Sequence, residues 1–488
     1  MTSIEDIRDQ RVEKVKMLIE KGIEPYPVAS NINTTNAEFN DEFAGLLESQ
    51  KEVIVGGRII SIRGQGKLGF VDVIDGTSEK VQCFLSLETL GEVAINDFFE
   101  CIDTGDFIEF SGMAYVTKRG ANAFLVKTWR LLSKSLRPLP DAFYGIEDED
   151  ERYRKRYLDF ILNKDNRDMM KRRSIFWNTI RTFLLQRDYI EVETPVLENT
   201  TGGADARPFV THHNALDMDV YLRISAGELW QKRLLIAGLP KTFEIGRIFR
   251  NEGMSPEHAQ DYTQVEFYEA YSDFTKGMEM TKELYTKIAE EVYGKTNFEH
   301  KGLAFDLKDE WKIYDFSKII LEQYNIDVHL ATVGDVEEEI IKAGIEYDKK
   351  TISVERGIDL LWKKVRKELT GPGFLIGIPV YLETLAKKSR DDERVVERFQ
   401  VILAGSEVGK GFSELNDPID QNERFNIQQS LRDAGDDEAQ MADDEYVEAM
   451  EYGMPPAFGF GVSERLFSFL EGKSLRECQA FPLMRKRG

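Results

Sequence analysis

FEIGRIFRNEGMSPEHAQDYTQVEFYEAY, residues 243–271, reads as two strands joined by a polar loop. The first strand ends at Arg250, the loop carries Glu252 and His258, and the second presents Glu266 and Tyr268. Side chains alternate across a strand, so Glu266 and Tyr268 share a face. The Arg250 guanidinium has the planar fork that clamps phosphate oxygens, and Glu252 offers acceptors to an exocyclic amine. An ion-paired hairpin with no ligand accounts for the same residues.

Two further stretches have the same character. SEVGKGFSELND (406–417) carries Glu407 and Glu414 on either side of a glycine-rich bend. Carboxylates so placed suit a hard cation that also takes phosphate oxygens. FGFGVSERLFSF (458–469) sets Gly459 and Gly461 before Arg465 at a helix start. Glycines there let backbone approach a ligand that the arginine reaches. Taken singly, a glutamate-flanked bend and a glycine-softened turn explain them as well. The chain has no GxxxxGK[ST], and no GxGxxG after a strand, so a P-loop or Rossmann route to a nucleotide is unsupported.

Around these stretches the chain divides. Residues 3–22 pattern as an amphipathic helix with a Ser3/Asp6 capping box, closed by GIEPYP. Five β-branched and aromatic runs between 51 and 133, several separated by glycine turns, predict a small closed barrel. An OB-fold that binds single-stranded nucleic acid and an unrelated five-stranded barrel fit that pattern equally. The Pro-rich then acidic stretch 135–151 reads as a linker. Beyond it, helical patterns at 167–187, 276–293, 335–343 and 354–369 mix with strand-like runs such as YIEVETPVL, which predicts an α+β domain. The organisation expected is thus helix and barrel over 1–134, linker over 135–151, and a second domain over 152–488.

A chain of 488 residues exceeds the ~250–300 that one core usually supports. No apolar run reaches the ~18–20 residues of a membrane helix, and the charged start is no signal peptide. Cys83, Cys101 and Cys478 form no CxxC pair, which argues against a structural zinc or a disulfide framework and fits the cytoplasm. A net charge of −23 excludes holding nucleic acid mainly through a basic surface, but not a local positive field.

Together and in order, these pieces resemble the motifs of class II aminoacyl-tRNA synthetases. The helix from about 167 followed by YIEVETPVL resembles the first motif, FRNEG (249–253) the second and GVSERLF (461–467) the third. LLSKSLRPLP, RYRKRYLD, TGGADARPFVTHHNALDMDVYLRI and GFSELND further resemble lysyl-tRNA synthetase within that class. The resemblance covers nearly the whole chain. It implies an N-terminal OB-fold anticodon-binding barrel and a C-terminal α+β catalytic domain, an antiparallel sheet flanked by helices. It implies ATP and lysine as substrates, Mg²⁺, tRNA(Lys) as partner, and a homodimer built on the first motif.

The resemblance also implies residue roles. ATP falls to Arg250, Glu252, His258, Tyr262, Glu407 and Arg465, with Arg250 and Arg465 as the catalytic pair on its phosphates. Lysine falls to Gly203, Glu228, Glu266, Tyr268, Phe412 and Glu414. An acidic pocket with an aromatic wall suits an ammonium on an alkyl stem. Magnesium falls to Glu407 and Glu414, and the anticodon to Arg63, Phe70 and Gln82.

The chain departs from the pattern in four places. RFE is RFQ, so Gln400 replaces a carboxylate; GNGFSEL is GKGFSEL, so Lys410 replaces an asparagine. RISAGEL before Glu228 and GFGVSER before Arg465 are each one residue longer than usual. These keep two alternatives open: a catalytically altered RNA-binding or regulatory protein, and a related enzyme for another amino acid. An aspartate enzyme would call for positive charge where Glu228, Glu266 and Glu414 stand.

Overall fold

The computed structural model describes residues 3–487 except 66, 141–145, 205, 252, 254–258, 348, 350–351 and 436–438. The chain forms two compact units, Met1–Lys164 and Asp165–Gly488.

In the first unit, the helix Ile4–Glu20 starts on Ser3, and both halves of the Ser3/Asp6 capping box are formed. Five strands then close a barrel in the order Val53–Gln65, Leu68–Ile74, Lys80–Ser86, Asn122–Ser133, Phe107–Val116. Their inward residues, among them Val55, Ile59, Val71, Val73, Phe110, Phe124 and Val126, make one core. Two short helices, Glu149–Arg154 and Arg156–Leu162, end this unit, so its compact limit lies beyond residue 151.

The second unit is built on an eight-stranded sheet. Its order is Lys312–Asp315, Gly373–Ile376, Arg398–Leu403, Ser406–Ser413, Ala457–Ser463, Asp261–Ala270, Lys241–Phe249, Ile190–Glu191. Only the outermost pair at each end is parallel. The 243–271 stretch forms the hairpin as read, Lys241–Phe249 against Asp261–Ala270. YIEVETPVL supplies only the two-residue strand Ile190–Glu191 and the first residue of Leu197–Glu198. Pro195 lies between them and cannot donate to a ladder. The helical pattern at 354–369 ends at Val365 and finishes as a 3₁₀ turn.

Alternation divides the sheet into two faces. Val265, Phe267, Phe399, Val401, Phe458 and Phe460 point into one core with the helices Lys164–Leu185 and Phe274–Tyr293. Tyr268, Phe412, Leu375 and Ile402 point the other way, toward Phe316, Trp362 and Tyr446. This second face carries the candidate site.

Candidate active site

Strand register lays the floor of the site in two rows. One runs Gln400, Lys410, Gly461, Glu266, Glu244; the next runs Arg398, Phe412, Gly459, Tyr268, Thr242. A glycine stands at the middle of each row, so the floor opens there into a cavity of about 560 Å³. A Cβ on Gly459 would lie 2.2 Å from a Glu414 oxygen and 2.4 Å from the Tyr268 ring.

One end of the cavity is acidic and walled by rings. Glu228 begins the helix Glu228–Ile236 after Gly227, whose φ is +74°. A Cβ on Gly227 would sit 2.1 Å from Thr194 Oγ1, so the longer loop here is held by a residue that must be glycine. Glu266 accepts from the Ala226 amide at 2.8 Å, the Tyr268 hydroxyl at 2.8 Å and the Gln264 amide at 2.5 Å. Glu414 is buried at the end of its strand. Gly203 closes the wall, with φ +87° and no room for a side chain against Ser225 and Glu228.

Among these carboxylates lies a buried cation. Lys232 is one helical turn past Glu228, and its ammonium is 2.8 Å from Glu228 and 2.5 Å from Glu414. It also faces the Phe412 and Tyr268 rings at 5.3 and 5.9 Å. Burial alone would push Lys232 down, but the charges of Glu228 and Glu414 outweigh it and hold the ammonium above its ordinary range. Burial pushes the Glu414 carboxyl up to about 8, against the pull of Lys232, and that of Glu266 up to about 7, with repulsion from Glu228 adding to both. With three carboxyl groups to one ammonium, this end can take further positive charge in exchange for the protons that burial keeps on Glu414 and Glu266.

The other end is cationic. Arg250 donates to the Ile224 carbonyl at 3.2 Å and lies 5.8 Å from the Tyr262 ring. Ser463 caps the helix Glu464–Glu471 and accepts from the Arg465 amide, which fixes Arg465 in the first turn beside the cavity. Lys363, Arg398 and Lys410 line the same end. Glu252 and His258 lie outside the described residues.

Glu407 and Glu414 share a face but do not meet. In a regular strand, residues seven apart point to opposite sides. Here an extra residue enters between Glu407 and Lys410, where the pairing shifts and Gly409 takes φ +147°. That bulge turns Glu407 onto the face of Lys410, Phe412 and Glu414. The two glutamates are still about 20 Å apart along the strand at ~3.3 Å per residue, so they cannot hold one ion together. One Glu414 oxygen is paired with Lys232. Among the described residues no three His, Cys, Asp or Glu side chains gather as a metal cage. Of these two glutamates it is Glu407 that faces the cationic end, where Trp362 Nε1 donates to one of its oxygens at 2.7 Å. One carboxylate plus substrate phosphates is how Mg²⁺ is commonly held, so Glu407 fits that role.

In the first unit the barrel brings Arg63, Phe70 and Gln82 together. Arg63 pairs with Phe70 across the strands, and Asp72 with Gln82. Buried Asp72 accepts from Arg63 at 3.0 Å and from Gln82 at 3.3 Å. The Phe70 ring lies 5.1 Å from Phe84, which stacks on Tyr115 at 5.6 Å.

Residues 148–485 match the family model described as tRNA synthetases class II (D, K and N), and residues 53–134 that described as OB-fold nucleic acid binding domain. A lysine–tRNA ligase of Thermosipho melanesiensis is 39% identical over 490 residues, covering 99% of this chain and 96% of the relative. The lysine–tRNA ligase of Thermotoga maritima is 38% identical, covering 99% and 97%. That of Staphylococcus epidermidis is 38% identical, covering 99% and 100%.

The chain belongs to the lysine–tRNA ligase family of class II tRNA synthetases. The barrel is therefore an OB-fold, which decides between the two barrels that the strand pattern left open. Several residues in the cavity wall or directly behind it lie outside the motifs quoted from the sequence. Lys232 carried a signal, since it stands four positions after Glu228 on a helical pattern. Gln264 shares the face of Glu266 and Tyr268. Lys363, Glu383 and Trp362 reach the site from remote stretches and left no local sign.

Proposed function

We propose that this lysine–tRNA ligase family member activates lysine with ATP and transfers the lysyl group to the 3′ end of tRNA(Lys). One observation carries the reading: a single cavity joins an acidic, ring-walled end to a cationic end across two glycines. The acidic end suits the two ammonium groups of lysine, and the cationic end suits a polyphosphate.

In this reading the lysine carboxylate attacks the α-phosphorus of ATP, and pyrophosphate leaves. The terminal ribose hydroxyl of tRNA then attacks the lysyl carbonyl, and AMP leaves. Glu228 and Glu266 orient the α-amino end, and Glu414 with Tyr268 and Phe412 takes the side-chain ammonium. Arg250 and Arg465 hold the phosphate oxygens as charge shifts between them, so the chain acts by positioning and electrostatics and needs no nucleophile of its own. Tyr262 offers its ring to adenine. When bound, Mg²⁺ at Glu407 supplies further neutralisation of phosphate charge. In the barrel, Phe70 stacks an anticodon base while Arg63 and Gln82 reach its edges and phosphate.

We further infer a homodimer and a cytoplasmic location. Ile175, Leu185, Ile190, Val196 and Leu197 are exposed on the helix Lys164–Leu185 and the segment after it, an apolar face that a second copy would cover. Among the described residues no helix is long and apolar enough to cross a membrane.

Amino-acid-dependent ATP–pyrophosphate exchange tests the substrate. Exchange with lysine alone is expected across the standard amino acids. Exchange driven by another amino acid, or none at all, overturns the reading.

A further inference from the structure

Four side chains close a ring on the wall between the two ends of the cavity. Gln400 and Lys410 face each other across adjacent strands. Arg398 donates to the Gln400 side-chain oxygen at 2.9 Å. The buried Glu383 carboxylate takes Arg398 at 2.8 Å on one side and Lys410 at 3.2 Å on the other. The carboxyl of Glu383, which burial would push up, is held below its ordinary range by Lys410 and Arg398.

The charges in this ring do not cancel. One carboxylate is shared by two cations, and the Gln400 amide adds none. The surplus is on the side that faces the cavity, since the Lys410 side chain is 41% exposed and that of Glu383 only 6%. Lys410 also stands where the two ends meet. It follows Phe412 along the strand away from Glu414, and it lies beside Gly461, across from Glu266. In the proposed reaction this is where the carboxylate of the amino acid approaches the phosphates of the nucleotide, two anions that repel.

We propose that Lys410 is a resident cation for that junction, so that nucleotide binding depends less on divalent metal than it would with an uncharged residue at 410 and a carboxylate at 400. This rests on the reading of the cavity as an ATP site. The physical basis is that an ammonium anchored by Glu383 keeps its charge in place before substrate arrives, whereas a metal ion has to be bound along with the phosphates. Glu407, already engaged by Trp362, is the one cavity-facing carboxylate at the cationic end for which the described residues show a fit to Mg²⁺.

The test is equilibrium binding of ATP by calorimetry on the full chain, in saturating Mg²⁺ and in excess EDTA. The proteins compared are wild type, Lys410→Asn, Lys410→Arg and the double variant Lys410→Asn with Gln400→Glu, each checked by its melting curve. Wild type is expected to bind ATP in EDTA. Lys410→Asn is expected to widen the ratio of EDTA to Mg²⁺ dissociation constants by about tenfold or more, the effect of one lost charge-assisted hydrogen bond. Lys410→Arg should restore the ratio, and the double variant should bind only with Mg²⁺. An unchanged ratio in Lys410→Asn overturns the role of Lys410 while leaving the ATP site standing. Wild type that fails to bind ATP even with Mg²⁺ overturns both.

Discussion

The Lys232 ammonium lies 2.5 Å from the Glu414 carboxylate and 2.8 Å from that of Glu228, sealed from solvent beside two rings. The wall of the cavity proposed to receive lysine thus already holds one. Glu228 and Glu414 pair with it directly, and the protons that burial keeps on the Glu414 and Glu266 carboxyls are expected to leave when a second ammonium enters. Removing the resident charge leaves Glu228 and Glu414 without their buried partner. Lys232→Met is expected to lose about 3–5 kcal/mol of stability, the usual cost of leaving a buried charge without its partner. Saturating lysine should recover part of it. Urea unfolding with and without lysine measures both.

The carboxyls of the pocket also set a pH dependence. Glu414 is pushed up to about 8 in the folded chain, against about 4.3 for an unperturbed glutamate. Between those values the folded state holds a proton that the unfolded state has released, so stability falls as pH rises. Glu414→Gln removes this dependence. The melting temperature of the variant minus that of wild type should therefore climb from pH 5 to pH 8; a flat or falling difference contradicts the burial of an ionisable group there.

Gly459 gives the sharpest steric prediction. An alanine there has to displace the Glu414 carboxylate or the Tyr268 ring, both closer than 2.5 Å to its Cβ. A displacement of about 1 Å at a positioning group costs on the order of 10²-fold, and Gly459→Ala should lower kcat/KM for lysine by that order in the exchange assay.

On the barrel, Phe70→Ala should weaken tRNA binding. Stacking one base is worth about 1–3 kcal/mol, roughly 5- to 150-fold in Kd. Filter binding of tRNA(Lys) at fixed salt measures it, and an unaltered Kd would remove Phe70 from the contact.

Leu197→Asp places a charge on the exposed apolar face of the second unit. Light scattering should find the wild type at twice the chain mass and the variant shifted toward one. A wild-type chain that is monomeric at micromolar concentration contradicts the dimer.

How much of this was legible in sequence depended on how local each cause was. The Ser3/Asp6 capping box and the face shared by Glu266 and Tyr268 follow from spacing alone, and both are present. The barrel was legible as a barrel, but its kind was not, because alternation reports burial and not strand order. Glu383 and Lys363 were invisible: one follows a 3₁₀ turn and the other lies on a helix whose orientation no local pattern encodes. Glu407 and Glu414 were paired by proximity in sequence, and an extended strand is the conformation that holds near neighbours furthest apart. Lys232 was missed because a lysine inside an apolar helical face contradicts the expectation of exposure unless its partners are already known.

The extra residue at Gly409 has a consequence for reading other chains. Two side chains separated by an odd interval cannot both face one ligand from an unbroken strand. When both nonetheless resemble site residues, the odd count itself announces an inserted residue, and a glycine inside the interval tells where. The same letters in a regular strand, with the interval kept but the bulge lost, would leave GFSELND intact. They would swing the Glu407 carboxylate among Phe399, Phe460 and Tyr285, and turn Val408 toward the nucleotide. Arithmetic, as much as residue type, decides whether this edge of the cleft meets its ligand.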